Sequence, residues 1–479
     1  MKPTAHAFKR RSVEALQNTA LQQALARAHD GFVHKRQAAI DALPEFAALC
    51  ERARSIKDDA LEHLDRYLAG FEATLTAQGG EVHWARTSEE ACQQIITICR
   101  AHNARRIAKG KSMVGEEIAI NQALEASGFE VVETDLGEYI IQLAKEPPSH
   151  IIAPAVHKSR AEIAQLFHTF HQRIERTKPL AEVPEIVEES RKVLRSAFLS
   201  ADVGITGANF LVAETGSVVL VTNEGNGDLV STLPAVQIVV SSIEKVVPTL
   251  EDVTTLLRVL GRSATGQVMT AYTTLLTGPR RPDDRDGPEA MHVVLVDNGR
   301  SAMLGTVFRD MLRCIRCGAC LNHCPVYGAI GGHAYGWVYP GPMGSVLTPR
   351  ILGLREAPDL PQACTLNGRC EDVCPVRIPL PALLRQLRVE AFSERITPAR
   401  VRFTLGLWAL LAKHPRLYHG VMAIVAGVLG RLGRRRGRFR RLPLARGWTK
   451  ARDLPAPARQ TFHSAWKGRQ RSTVPDRDP

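Results

Sequence analysis

The sequence predicts an α/β fold: a domain built on a largely parallel sheet, preceded by helices and followed by a small cysteine-dense domain and a basic helical tail. Three observations predict it. Over residues 76–300, short Val/Ile-rich runs alternate with helix-patterned stretches, as in strands buried on both faces and joined by crossover helices. Over 301–395, cysteine, glycine and proline become dense, which fits a small domain whose metal ligands replace part of a hydrophobic core. The charge is also segregated: residues 397–479 hold 19 Lys+Arg against 3 Asp+Glu, a net of +16 in a chain whose total is +13, leaving the remainder near −3. A chain of 479 residues exceeds one core, and the divisions expected are 1–75, 76–300, 301–395 and 396–479.

Residues 1–75 read as helices. "SVEALQNTALQQALARAHDGFVHKRQAAIDAL" has apolar residues at helical spacing and no proline. In the next region "EVHWA" is expected as a strand, "SEEACQQIITICRAH" as a helix with a Ser–Glu start, and "RRIAKGKS" as a strand into a turn. "VGEEIAINQALEAS" reads as a helix and "FEVVETDLG" as a strand. "HIIAPAV", "GSVVLVTN", "AVQIVVSS" and "MHVVLVDN" read as further strands, each bounded by turn residues. In the tail, "FTLGLWALLA" and "GVMAIVAGVLG" are apolar helical stretches, followed by "RLGRRRGRFRR" and a Pro/Ala-rich linker into "FHSAW". The longest apolar run is 420–430, short of the roughly 18 residues that a membrane span needs. "MKPTAHAFKRRSVEALQ" lacks the apolar core of a secretory signal, so a cytoplasmic location is expected.

Seven of the ten cysteines fall in two stretches, "CIRCGACLNHCPV" and "CTLNGRCEDVCPV". The first reads C-x2-C-x2-C-x3-C-P. The second keeps the first, third and fourth cysteines and the proline, but has Asn367 where the second cysteine belongs. In this pattern three thiolates wrap one iron–sulfur cubane and the fourth, before the proline, ligates the other cluster. The rule assigns Cys314, Cys317, Cys320 and Cys374 to one [4Fe–4S] cluster. Cys324, Cys364 and Cys370 go to the second, [4Fe–4S] or [3Fe–4S], with Asn367 at the vacant position. Zinc would take paired C-x2-C units in closed four-coordinate sites; a triple-cysteine run and two C-P endings favour iron–sulfur. His323, inside the first motif, reads as a turn residue. Cys50, Cys92 and Cys99 lie in helical patterns and read as buried small residues. Clusters that exchange ligands sit close together, which suits the passage of single electrons.

Taken together, these motifs resemble the lactate utilisation protein B family. The resemblance rests on "KGKSMVGEEI", "ETDLGEYIIQL", "ETGSVVLVTNEGNGDL", "CIRCGACLNHCPVY…GHAYGWVYPGPMG" and the "FHSAW" ending. "ETGS" with "NEGN" marks the family's LUD domain, which is similar to the sugar-isomerase and CoA-transferase fold. Its ferredoxin domain resembles the helical two-cluster type of succinate dehydrogenase. The resemblance implies an iron–sulfur electron-transfer subunit of a multi-protein complex that oxidises L-lactate to pyruvate, with a cysteine-rich redox subunit and a small LUD-domain subunit as partners. Two alternatives are a stand-alone LUD-domain enzyme acting on an acyl or phosphorylated substrate with structural clusters, and electron transfer for another 2-hydroxy acid such as glycolate.

Within the α/β region, Lys109, Lys111 and Ser112 follow a strand and precede a helix, where an anion could be held. Glu214, beside Thr215, and Glu224 flank "GSVVLVTN" and are the candidate carboxylates for base or nucleophile chemistry; the competing reading is capping and turn formation. The catalytic residues are otherwise unknown. No Rossmann glycine pattern and no Walker sequence is present, so nicotinamide or ATP use has no support. The seven arginines of "RLGRRRGRFRR" behind two apolar helices predict a peripheral contact with an anionic inner membrane face, each basic residue contributing about 1 kcal/mol. A solvated tail, or one docked on an acidic partner subunit, is the competing reading. Nucleic-acid binding is not expected, because the body is near neutral and only Phe439 interleaves the arginines.

Overall fold

A computed structural model of the chain describes residues 3–172, 174, 180–442, 446–449 and 452–472. It forms two compact units, 1–393 and 394–479.

The first unit begins with four helices: α1 (Phe8–Gln17), α2 (Thr19–Asp41), α3 (Phe46–Glu62) and α4 (Leu64–Ala77). The long helical pattern breaks at Asn18, whose Oδ1 accepts the Leu21 N–H at 3.0 Å and so caps α2. A six-stranded, all-parallel sheet follows. Its strands are β1 (Glu81–Ala85), β2 (Arg106–Lys109), β3 (Glu130–Glu133), β4 (Val203–Thr206), β7 (Val236–Ser242) and β10 (Ala290–Val296), in the order β1-β10-β7-β4-β2-β3. β7 and β10 are buried along nearly their whole length, as their continuous Val/Ile runs require. A second sheet of four strands orders β8 (Val246–Val247), β5 (Phe210–Val212), β6 (Ser217–Thr222) and β9 (Tyr272–Leu276), with β5, β6 and β9 antiparallel. The crossovers carry α5 (Ser88–Ala101), α6 (Met113–Glu117), α7 (Ile120–Ala126), α8 (Leu136–Ala144), α9 (Arg160–Phe170), α10 (Val183–Ser200), α11 (Asn226–Thr232) and α12 (Leu250–Thr265).

The largely parallel α/β sheet is as expected, with three local corrections. "GSVVLVTN" is a strand, β6, but it lies in the small antiparallel sheet. "VGEEIAINQALEAS" is two helices, because Ala119 adopts φ +59° between α6 and α7. "HIIAPAV" is not a strand but a series of turns. Its amides are taken by a side chain: His150 Nδ1 accepts from the N–H groups of Ile152 and Ala153 at 3.0 and 3.1 Å, and Pro154 has no N–H for a ladder.

Beyond β10 come α13 (Ser301–Leu304), a 3-10 turn over Val307–Arg313, then α14 (Ala319–Asn322), α15 (Pro325–Ile330), α16 (Gly341–Leu352), α17 (Arg369–Asp372) and α18 (Leu380–Ser393). These short pieces do not stand apart. The N-terminal helices wrap them, with Arg36 Nη2 donating to Val373 O at 3.0 Å and Gln22 Nε2 to Ala329 O at 2.6 Å. One apolar core runs through α2, α3, α12 and the cysteine region.

The second unit holds α19 (Ala399–Ala412), α20 (Pro415–Leu432), a two-stranded ribbon of β11 (Arg438–Phe439) and β12 (Leu454–Pro455), α21 (Arg446–Thr449) and α22 (Phe462–Ser472). α19 buries none of its residues: Phe403 is 73% and Trp408 60% exposed, and on α20 Ile424 is 68% exposed. Among the described residues, no helix is long and apolar enough to cross a membrane.

Candidate iron–sulfur centre

The two cysteine stretches fold alike at an offset of fifty residues. Arg316 and Leu366 both lie in the left-handed region, at φ +59° and +57°, and each is followed two residues later by a glycine at positive φ, Gly318 (+73°) and Gly368 (+86°). Glycine is suited to that conformation because it has no Cβ to clash. From each glycine the chain enters a single helical turn. Leu321 and Asn322 donate to Gly318 O at 2.9 and 3.2 Å; Glu371 and Asp372 donate to Gly368 O at 2.8 and 3.3 Å. Each turn delivers its last cysteine just before a proline. Asn367 therefore stands at the backbone position that Cys317 occupies in the first loop.

All seven motif thiols are free. Their mutual influence divides them into two neighbourhoods. Burial pushes the Cys317 thiol up, and the nearby thiols of Cys374 and Cys314 push it further. Cys320 is raised by burial and then by Cys314, Cys317 and Cys374, with Cys370 of the other group adding to it, so the two neighbourhoods adjoin. Cys374 is pushed up to about 11 by burial, with Cys314 adding to it and the Ile378 and Val376 amides opposing. In the other neighbourhood, burial raises Cys370 to about 12, reinforced by Cys364 and Cys324, and Cys324 is raised by burial and by Cys364. Crowded, desolvated thiols of this kind resist ionisation unless cations neutralise them. The loops also supply donors for thiolates: backbone N–H groups of Leu366, Tyr327 and Ile378 point at the sulfurs of Cys364, Cys324 and Cys374 at 3.2, 3.4 and 3.4 Å. The donor set fits iron–sulfur chemistry, in which such hydrogen bonds tune the potential.

Asn367 is exposed, and its Oδ1 accepts from its own loop, the Arg369 N–H at 3.3 Å. It borders an open cavity of about 510 Å³ shared with Cys324, His323 and His29. His323 Nδ1 bonds the Ala319 carbonyl at 2.9 Å, a turn contact. Of the other cysteines, Cys50 and Cys99 are buried, and Cys92 donates to Ile118 O at 3.2 Å.

Sequence patterns did not reveal the cations around the first thiol neighbourhood. The buried Arg36, from α2, lies close enough to feel the charges of Cys317 and Cys374. Nothing in its helical stretch marks it. Arg316 sits inside the first motif and was legible there. Its Nη2 meets Glu244 at 3.0 Å and its guanidinium lies 5.2 Å from the Tyr339 ring centre. Behind it is a buried network: Arg300 donates to Glu117 at 2.8 and 2.6 Å, Tyr339 Oη donates to Glu117 at 2.6 Å, and Lys57 donates to the Glu244 carbonyl at 2.5 Å.

The α/β candidates separate. Lys109 is fully buried and ion-paired, 2.7 Å from Glu133 and 3.1 Å from Glu116, so its charge is spent inside the protein. Ser112 Oγ accepts the Gly115 N–H at 3.0 Å, as a cap. Glu214 is exposed and accepts the Leu250 N–H at 2.9 Å, at the start of α12. Lys111, Ser112 and Glu224 border a cavity of about 260 Å³ that also reaches Lys245 and Arg316.

Comparisons with known proteins agree with this layout. Residues 68–296 match the LUD domain, 310–378 the 4Fe-4S dicluster domain, and 394–471 the family described as "Lactate utilisation protein B, C-terminal". The chain is 43% identical to the "Uncharacterized electron transport protein YkgF" of Escherichia coli strain K12 over 97% of both chains. It is 42% identical to "Lactate utilization protein B" of Lysinibacillus sphaericus over 98% of both chains, and 42% identical to that of Bacillus pumilus over 98% of this chain and 99% of the relative. With likeness of that depth from end to end, carrying a LUD domain and a 4Fe-4S dicluster domain in the same order, the chain belongs to the lactate utilisation protein B family.

Proposed function

We propose that this chain is the iron–sulfur electron-transfer subunit of a multi-protein assembly that oxidises L-lactate to pyruvate. One observation carries the reading: two adjoining groups of free thiols, buried or half-buried, in a chain that matches lactate utilization protein B relatives over nearly its whole length. In this reading Cys314, Cys317, Cys320 and Cys374 hold one [4Fe–4S] cluster. Cys324, Cys364 and Cys370 hold the second, [4Fe–4S] or [3Fe–4S], with Asn367 beside the uncapped corner. Bound clusters supply one-electron acceptance and release.

The rest is the work of the chain itself. Tyr335, Trp337 and Tyr339, all buried, keep water from the interior between the motifs and the α/β domain. Arg36 and Arg316 place guanidinium charge beside the first thiol set, which favours the more negative, reduced state there. The second set opens to solvent at Asn367, and the guanidinium beside it is the half-buried Arg388, which donates to the Cys364 carbonyl at 2.9 Å, so the two sets differ in exposure. Lactate oxidation releases two electrons and two protons, which neither thiol set can take up as a hydride. The chemistry at lactate, or at another 2-hydroxy acid such as glycolate, therefore falls to a partner: a cysteine-rich redox subunit or a small LUD-domain subunit. The exposed apolar side chains of α19 and α20 and the arginines after them support a cytoplasmic protein peripheral on the inner membrane face.

The test is a deletion strain with no other lactate oxidase. Growth on L-lactate is expected to stop and growth on pyruvate to continue. Unimpaired growth on L-lactate would overturn the assignment, and loss of growth on glycolate alone would move it to that substrate.

A further inference from the structure

We infer that the α/β domain carries a binding site for a small organic carboxylate, in the cavity between the carboxyl ends of β2 and β4 and the first cysteine motif. The inference rests on the cavity alone and does not need the lactate reading.

The first argument is topological. From β2 the chain passes outward to β3, then returns past β2 to β4, from which β7 and β10 extend the sheet the other way. The order of winding thus reverses between β2 and β4. In open parallel sheets, ligands bind outside the carboxyl ends of the strands at that reversal. The cavity of about 260 Å³ lies there, lined by Gly110 and Lys111 after β2 and by Thr206 and Gly207 at the end of β4. Its size falls just below the roughly 300–1,000 Å³ of drug-sized sites, which suits a ligand of a few heavy atoms.

The second argument is the chemistry of its wall, where donors with unused capacity converge. Lys245 gives one proton to the Ala208 carbonyl at 2.5 Å and Lys111 gives one to the Ile152 carbonyl; an ammonium has three. Neither lysine is in an ion pair among the described residues. Asn209 uses its Oδ1 on the Val221 N–H at 2.9 Å, which leaves its amide N–H groups for the cavity. Arg316 commits one Nη to Glu244 and the other to the Cys314 carbonyl at 3.4 Å, and its Nε is buried without a partner. A wall of spare donors calls for an acceptor-rich, anionic ligand.

Charge selects the kind of anion. Glu244 already balances Arg316, and both Asp135 and Glu224 border the same space as the two lysines. A dianion such as phosphate would set two charges against these carboxylates, whereas a monocarboxylate sets one and can still take the spare N–H groups of Lys111 and Lys245. The position is also informative. A small adjoining void is lined by Asn209, Lys245 and Arg316 and reaches Cys314, so a bound carboxylate lies against the first cysteine motif.

The test is equilibrium dialysis of the full-length, anaerobically prepared protein with radiolabelled L-lactate, pyruvate, acetate and inorganic phosphate. Saturable binding of at least one carboxylate, one per chain, is expected. It should weaken at least tenfold in Lys245→Gln and in Asn209→Ala, and stay unchanged in Lys192→Gln, a surface control. Iron content equal to wild type establishes that the variants are folded. The inference is overturned if no carboxylate binds saturably, if phosphate binds more tightly than every carboxylate, or if both cavity variants bind as wild type. Absent binding combined with lost growth on L-lactate removes this site and leaves the electron-transfer role standing; binding with normal growth does the reverse.

Discussion

Replacing Arg300 with methionine should destabilise the first unit by about 3–5 kcal/mol, because it leaves buried carboxylates without their cation. Arg300 is fully buried. Its two terminal nitrogens donate to Glu117 at 2.8 and 2.6 Å, and its Nε lies 2.8 Å from Glu244. Glu117 comes from α6, Glu244 from the turn after β7, Tyr339 from beyond the first motif. The arginine thus binds the α/β sheet to the cysteine region. Methionine keeps an unbranched apolar stem but ends short of the guanidinium and carries no charge. Glu244 keeps Arg316, whereas Glu117 retains only neutral donors, Tyr339 and Asn298. An independent scale comes from proton linkage. The two arginines outweigh burial and hold Glu244 down to about 2 from an ordinary 4.5, which corresponds to about 3 kcal/mol. A depressed carboxylate pKa stabilises above the unfolded value, so this contribution is present above pH 4.5 and is lost as pH falls from there toward 2. In Arg300→Met the folded-state values of Glu244 and Glu117 rise, so less stability remains to be lost in acid, and the variant's deficit against wild type should narrow as pH falls below 4.5. The assay is urea unfolding followed by tryptophan fluorescence, to which the buried Trp337, 5.6 Å from the Tyr339 ring, contributes. At pH 7 the midpoint should fall by on the order of 1–2 M. The double variant Arg300→Met/Glu117→Gln should recover part of that loss, because it removes the stranded charge. A single variant within about 1 kcal/mol of wild type at pH 7 would refute the reasoning.

Three further outcomes are expected. The wild type is expected to give an EPR signal of oxidised [3Fe–4S] type that disappears in Asn367→Cys, with oxygen stability rising; eight irons per chain in the wild type, with spectrum and stability unchanged by the substitution, would show that position 367 leaves no corner open. Removing residues 397–479 should abolish cosedimentation with anionic liposomes, and undiminished cosedimentation would show that the tail is not the anchor. Gly332→Ala should sharply lower the yield of folded, iron-loaded protein, since its Cβ would stand 1.8 Å from the Ser149 carbonyl oxygen; Gly328→Ala, whose Cβ meets nothing within 4 Å, should be neutral or stabilising by up to about 1 kcal/mol.

Local chemistry was legible in the sequence wherever it is written in consecutive residues. The spacing of "CIRCGACLNHCPV" and the gap at Asn367 set out two thiol groups, because a turn with left-handed Arg316 and Gly318 is a short-range affair. Val/Ile-rich runs announced β7 and β10 for the same reason: strands buried on both faces are predominantly apolar. "HIIAPAV" carried the same apolar signal and misled. Whether its amides pair with a strand or with the His150 ring depends on a side chain whose other nitrogen bonds Asn322, 172 residues away. The parallel sheet was legible as a class but not as an order, and the order creates the reversal between β2 and β4. Lys109 and Lys111 read alike in the sequence; the fold neutralises the first with Glu133 and Glu116 and leaves the second facing a cavity. Arg36 had no signal in its helix, yet tertiary packing sets it beside Cys317 and Cys374. Electrostatics and cavities depend on distance in space, and no local pattern encodes which distant residues a buried charge will meet.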